Sequence, residues 1–157
     1  APNYFYRVAR VGKLTAADSG PWLFDSIKVM GEAIDLAQQY QPDGRAGAAM
    51  IYAFLRVVDG SGRKTVFEKR REFYEKACEQ FARLPAAWVR VAETEFAVSL
   101  VRQVTLTAFI NKDIDLLVNL SSLRPSGFRI LATLVRHGRW RYAKEKWHEI
   151  KGRMRAA

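Results

Sequence analysis

The segment Arg124–Met154, RPSGFRILATLVRHGRWRYAKEKWHEIKGRM, holds two helical patterns parted by a single glycine, Gly138. In the second pattern Trp140, Ala143, Trp147, Ile150 and Met154 recur at spacings of three and four. That period sets them on one side of a helix and predicts a buried apolar seam. Arg141, Lys144, His148, Lys151 and Arg155 repeat the spacing one position later, as a basic stripe beside the seam. Arg139, Lys146 and Arg153 recur every seven residues on the other flank. In the first pattern Phe128, Leu131, Leu134 and Val135 are the expected inner side, with Arg129 and Arg136 outside. Gly138 suits the left-handed conformation that ends a helix. The segment therefore reads as a basic helical hairpin over residues 123–157.

The same period runs through the rest of the chain. Asp18-Ser19-Gly20-Pro21 is a helix-start signal, followed by Phe24, Ile27, Met30, Ile34 and Ala37 at helical spacing. QPDGR is a turn, and a second helix carries Met50, Ile51, Phe54, Leu55 and Val58 inward until DGSG at 59–62 breaks it. Thr65 and Glu68 have capping-box spacing, which opens a third helix with Phe67, Phe73, Tyr74, Ala77, Cys78 and Phe81 inside. Pro85 opens a fourth, through Trp88, Val91, Ala92, Glu95, Phe96 and Leu100 toward Phe109. Asn111 is the expected cap of a short helix through Leu116 and Leu120, and Ser121-Ser122 a turn. The expectation is an all-α single domain, 1–157, of about seven helices in antiparallel hairpins. It divides into an extended N-terminal arm (1–17, with NYFYRV), a helical body (18–122) and the basic hairpin.

Charge is concentrated at one end. The chain carries 26 Lys/Arg against 16 Asp/Glu, a net +10, and the hairpin holds 10 of the cations against only Glu145 and Glu149. A solvated face ordinarily mixes signs. This one favours a polyanionic partner: RNA, DNA or an acidic protein surface, with RNA and an acidic protein the leading expectations. The candidate contacts are Arg129, Arg136, Arg139, Arg141, Lys144, Lys151 and Arg155. The two tryptophans are expected in the core, leaving Tyr142 and Tyr6 as candidates for base stacking.

Other chemistry is not signalled. Cys78 is the one cysteine, which excludes an internal disulfide and a cysteine-rich zinc site and fits a reducing compartment. Its neighbours Tyr74, Phe81 and Ala82 predict a buried thiol. His137 and His148 lie eleven apart with no ligand-spaced partner, so a surface role is expected and no metal. DGSGRKT lacks the Walker spacing and a preceding strand. Glu93 and Glu95 fall on different helix faces, unsuited to acid–base work. No cofactor and no catalysis are expected. No apolar run reaches the roughly 20 residues of a membrane span. The N-terminus lacks a secretory layout, and the start at Ala1 fits either a removed leader or a trimmed chain.

The hairpin's second helix resembles the second helix of a pentatricopeptide repeat in Gly138, Arg139, Ala143, Trp147, Glu149 and Ile150. The first helix has Pro125, but Phe128 stands where that family bears a base-reading Asn, Ser or Thr, which argues against sequence-specific reading. RREFYEKACEQFARLPAAWVRVAETEF resembles a half-a-TPR repeat in Arg70, Tyr74, Glu75, Ala77, Pro85, Trp88, Ala92 and Glu95. Together they cover about 60 of 157 residues, and Pro42, Pro85 and Pro125 mark units of about 40. The resemblance implies a helical-repeat protein, a short α-solenoid, in a ribosomal or RNA-processing assembly. It also implies an organellar location, mitochondrial before cytoplasmic. The alternative expectation is an accessory subunit of a large mitochondrial complex, docked on an acidic partner through the hairpin.

Overall fold

The computed structural model describes residues 22–40, 43–95, 99–122 and 127–156. The expected arm at 3–8, the 18–21 cap, Tyr6, Phe96, Arg124 and Pro125 lie outside them. The protein is all-α, with eight helices among the described residues: α1 Trp22–Gln39, α2 Gly44–Lys64, α3 Phe67–Phe81, α4 Ala86–Glu95, α5 Leu100–Ile110, α6 Ile114–Ser122, α7 Gly127–Arg136 and α8 Trp140–Ala156. Helix α2 is the hub and packs on α1, α3, α4, α5 and α6. Helix α3 also packs on α6, and α7 packs chiefly on α8.

The core is built on aromatic rings from four helices, α1, α2, α3 and α5. Phe54 meets Phe109 edge-on at 5.8 Å, and Phe81 stacks on Phe109 at 5.2 Å. Phe73 meets Tyr74 at 5.4 Å and Phe24 at 5.5 Å. Phe54, Phe73 and Phe109 are fully buried, each contributing about 1.5–3 kcal/mol by removal from water. The tightest approach joins α2 to α4. A Cβ on Gly47 would lie 2.1 Å from the Trp88 ring, so only glycine admits that tryptophan.

Five expected boundaries move, each for a local reason. DGSG does not break α2. Asp59 and Arg63 pair across one turn at 3.0 Å, and Ser61 and Gly62 are buried. A Cβ on Gly62 would sit 2.3 Å from the Tyr74 hydroxyl. The glycine is a packing notch inside a helix, and packing outweighs its poor propensity. Thr65 closes α2 rather than opening α3, because its hydroxyl donates to the Ser61 carbonyl at 3.0 Å. The residue before α3 is Val66, with no side-chain cap, and Phe67 is 65% exposed.

The expected fourth helix is two, α4 and α5. Ser99 restarts the chain by accepting a hydrogen bond from the Arg102 amide at 3.3 Å, satisfying a donor that a helix start leaves bare. Asn111 ends α5, while Asp113 caps α6 by accepting from the Leu116 amide at 3.1 Å. Ser121 and Ser122 are the last turn of α6, both hydroxyls donating to the Val118 carbonyl at 2.8 Å. Arg70 then ties three elements together. It donates to the Thr65 carbonyl at 2.8 Å and to the Ser122 hydroxyl at 2.7 Å.

Candidate nucleic-acid interface

Two turns of the same kind set the basic hairpin against the body. At the end of α7, Gly138 has φ +65°, the Arg139 amide donates to the Leu134 carbonyl at 2.8 Å, and the Gly138 amide donates to Val135 at 3.0 Å. This pairing is a Schellman motif, which satisfies the carbonyls a helix end leaves open. At the end of α5, Lys112 takes the glycine's place at φ 51°, with the Asp113 amide donating to Ala108 at 2.8 Å and Lys112 to Phe109 at 3.1 Å.

Polar side chains join these turns. Arg139 donates to Asp113 Oδ2 at 2.7 Å. The His137 ring is half-buried, with Nε2 at 2.9 Å from the Asn119 amide nitrogen and Nδ1 at 3.9 Å from Asp113 Oδ1. His137 is therefore part of the joint and not a surface residue. The Tyr142 hydroxyl adds a bond to Thr107 of α5 at 2.9 Å.

That joint rotates α8 away from its expected register. Its buried side chains are Ala143, Lys146 and Ile150, while Trp140 is 66%, Trp147 45% and Met154 67% exposed. The expected tryptophan seam is not core. The inward side chains of the other flank are instead Arg139 and Lys146, while Arg153, seven residues further on, is exposed. Arg139 is drawn in by Asp113, and Lys146, 7% exposed, donates to Glu149 at 2.7 Å. The Lys146 stem lies beside Gly127 of α7. A lysine stem with a paired ammonium fills a core as a hydrocarbon would. On α7 the same rotation buries Ile130, Thr133 and Leu134 and leaves Phe128 58% exposed, with Val135 partly exposed.

The aromatic assignments exchange as a result. Tyr142 is half-buried, bonded through its hydroxyl and with the Arg141 guanidinium 5.9 Å from its ring centre. On α8 the exposed π-faces belong to the tryptophans.

Charge sorts the hairpin further. Both of its acids are engaged inside α8. Glu149 holds Lys146 and Arg153, the latter at 2.6 Å, and Glu145 meets Arg141 at 3.4 Å. The Lys146 hydrogen bond, with help from the charges of Lys146 and Arg153 and against partial burial, holds the Glu149 carboxyl below its ordinary range. Arg136, Lys144, Lys151 and Arg155 are exposed with no acidic partner among the described residues. Arg129 is exposed on the same outer side of α7 as Arg136.

Of the seven expected contacts, six are thus exposed, and Arg139 serves the joint. Along α8 the exposed residues Trp140, Lys144, Trp147, Lys151 and Met154 follow at spacings of four, three, four and three. They form one stripe in which apolar side chain and cation alternate, with Arg155 beside its end. The apolar period at 140–154 was visible in the sequence. Its orientation was not, because only the pairing of Lys146 and Arg139 with acids reveals which flank turns inward.

Among the described residues no group of three His, Cys, Asp or Glu could hold a metal ion, and no helix is long and apolar enough to cross a membrane. Compared with protein-family models, curated proteins and solved structures, the chain matches none.

Proposed function

We propose that the protein is a non-catalytic RNA-associated component of a ribosomal or RNA-processing assembly, holding RNA phosphates on the outer face of its C-terminal hairpin. The observation that carries this reading is the division of charge on α8. Every acid there is paired with a cation of the same helix, while Lys144, Lys151 and Arg155 stay exposed along one side without one. Arg129 and Arg136 extend the cationic surface onto α7, and Arg141 borders it. Phosphate contacts of this kind position RNA without reading its sequence, consistent with Phe128 at the position where the resembled repeat reads a base.

The test is salt dependence. Binding to a mixed-sequence RNA should weaken steeply as salt rises, with K144Q, K151Q and R155Q each reducing the log–log slope by about 0.7–1. R139Q should leave the slope unchanged, since that charge is held by Asp113. RNA affinity indifferent to salt would refute the proposal. Native co-purification that survives nuclease would instead support an acidic protein as the partner.

A further inference from the structure

We infer that α8 binds single-stranded rather than duplex RNA, with unpaired bases stacked on Trp140 and Trp147 and the neighbouring phosphates held by Lys144 and Lys151. This rests on the RNA reading above and adds the state of the RNA. Its support is independent of net charge: two indoles stand exposed on a helix whose buried positions are taken by Ala143, Lys146 and Ile150. With Met154, the two rings make a run of exposed apolar side chains along one line of the helix, the kind of surface that marks an interaction site. A purely apolar partner surface does not fit, because Lys144 lies between the rings and Lys151 follows Trp147 by one turn. Such a partner would have to strip water from ammonium groups that have no acid beside them.

Unpaired nucleotides satisfy both groups at once, since each offers a π-face and a phosphate. Trp140 and Trp147 are seven residues apart, about 10.5 Å along the axis at 1.5 Å per residue. That distance accommodates about three base-stacking steps at 3.4 Å. A duplex offers the cations the same phosphates but keeps its bases stacked, and the A-form major groove is too narrow for side chains to enter. Stacking on either ring tolerates any base, so binding should be broad in sequence.

The test compares the full chain binding a labelled oligouridine of about 16 nucleotides with a duplex of equal length. Fluorescence anisotropy would be recorded on the wild type, W140L, W147L and W147F. Trp140 and Trp147 are exposed, so leucine retains apolar bulk without disturbing the core, and circular dichroism verifies the helices. The strand should bind about tenfold or more tighter than the duplex. W140L and W147L should each lose about tenfold in strand affinity with no change in salt slope, while W147F keeps most of it. Equal affinity for strand and duplex, or unaltered strand binding by both leucine variants, overturns the inference while leaving phosphate binding intact. Failure of the wild type to bind either RNA at low salt removes both. A nuclease-resistant protein partner lost on W147L would assign the stripe to protein and overturn the inference.

Discussion

Lys146 places an ammonium on the buried side of α8, and Glu149 meets it at 2.7 Å. Removing one member of such a pair leaves the other uncompensated, whereas replacing the charged member by a hydrocarbon of similar shape removes the problem. E149Q should therefore lower stability by about 1–3 kcal/mol, and K146M should be neutral within about 1 kcal/mol or stabilising. Urea unfolding of the two variants checks the contrast. The pH dependence has a definite sign. Glu149 is depressed in the folded state from its ordinary 4.5, so its contribution is present above that value and is lost as pH falls through the lower folded one. Melting temperatures measured from pH 6 to pH 3 should fall less steeply for E149Q than for wild type. Cys78 gives a second residue-scale expectation. Burial pushes its thiol up to about 11, against a smaller opposing pull from Lys112. The thiolate is the reactive form, so iodoacetamide at pH 8 should label the native protein far more slowly than the urea-unfolded chain. Equal rates would mean that the thiol is reachable.

At the scale of elements, the paired turns 111–113 and 137–139 share one geometry but differ in residue. Gly138 adopts φ +65° freely, and Lys112 adopts φ 51° at the cost a Cβ imposes there. G138A should destabilise by about 1 kcal/mol and K112G stabilise by about as much, both read from denaturant midpoints. The turn at 137–139 was legible in the sequence because glycine marks it. The turn at 111–113 was not, because a lysine in left-handed backbone carries no signature, and Asn111 looked the better cap. The same contrast holds along the rest of the chain. Apolar period alone located α1, α2, α3 and the α7–α8 hairpin, since 3.6-residue spacing survives whatever covers the helix. It failed at DGSG, where Tyr74 fills the notch that Gly62 leaves, and between α4 and α5, where Ser99 resembles any helix-interior serine until its hydroxyl is seen capping Arg102. For the candidate site, the excess of cations and their exposed spacing were legible. Which aromatic faces outward was not, because that depends on two charge pairs, Arg139 with Asp113 and Lys146 with Glu149, whose partners sequence alone does not identify.

At the scale of the whole molecule, α2 gathers most of the body around one aromatic core, while α7 and α8 lie outside its circle of contacts. Among the described residues the hairpin meets the body chiefly through α6 and α5. Its apolar anchors are Ile130, Leu134 and Ala143, and its polar ones are Arg139 to Asp113, His137 to Asn119 and Tyr142 to Thr107. So few ties, against a hub as dense as α2, make the hairpin a unit that opens before the rest. Hydrogen exchange should show amides of α7 and α8 protected less than those of α2 and α3. R139Q should then accelerate exchange in α7 and α8 by about tenfold, the effect of about 1.4 kcal/mol on local opening, with α2 and α3 unchanged. R139Q is a cleaner probe than a change at Asp113, which would also uncap α6. Uniform acceleration throughout the chain would show that hairpin and body unfold as one. The selective outcome ties stability to binding: a ligand held along α8 stabilises only the state in which α8 is formed, so saturating oligouridine should restore protection in α7 and α8 of R139Q and leave α2 as it was.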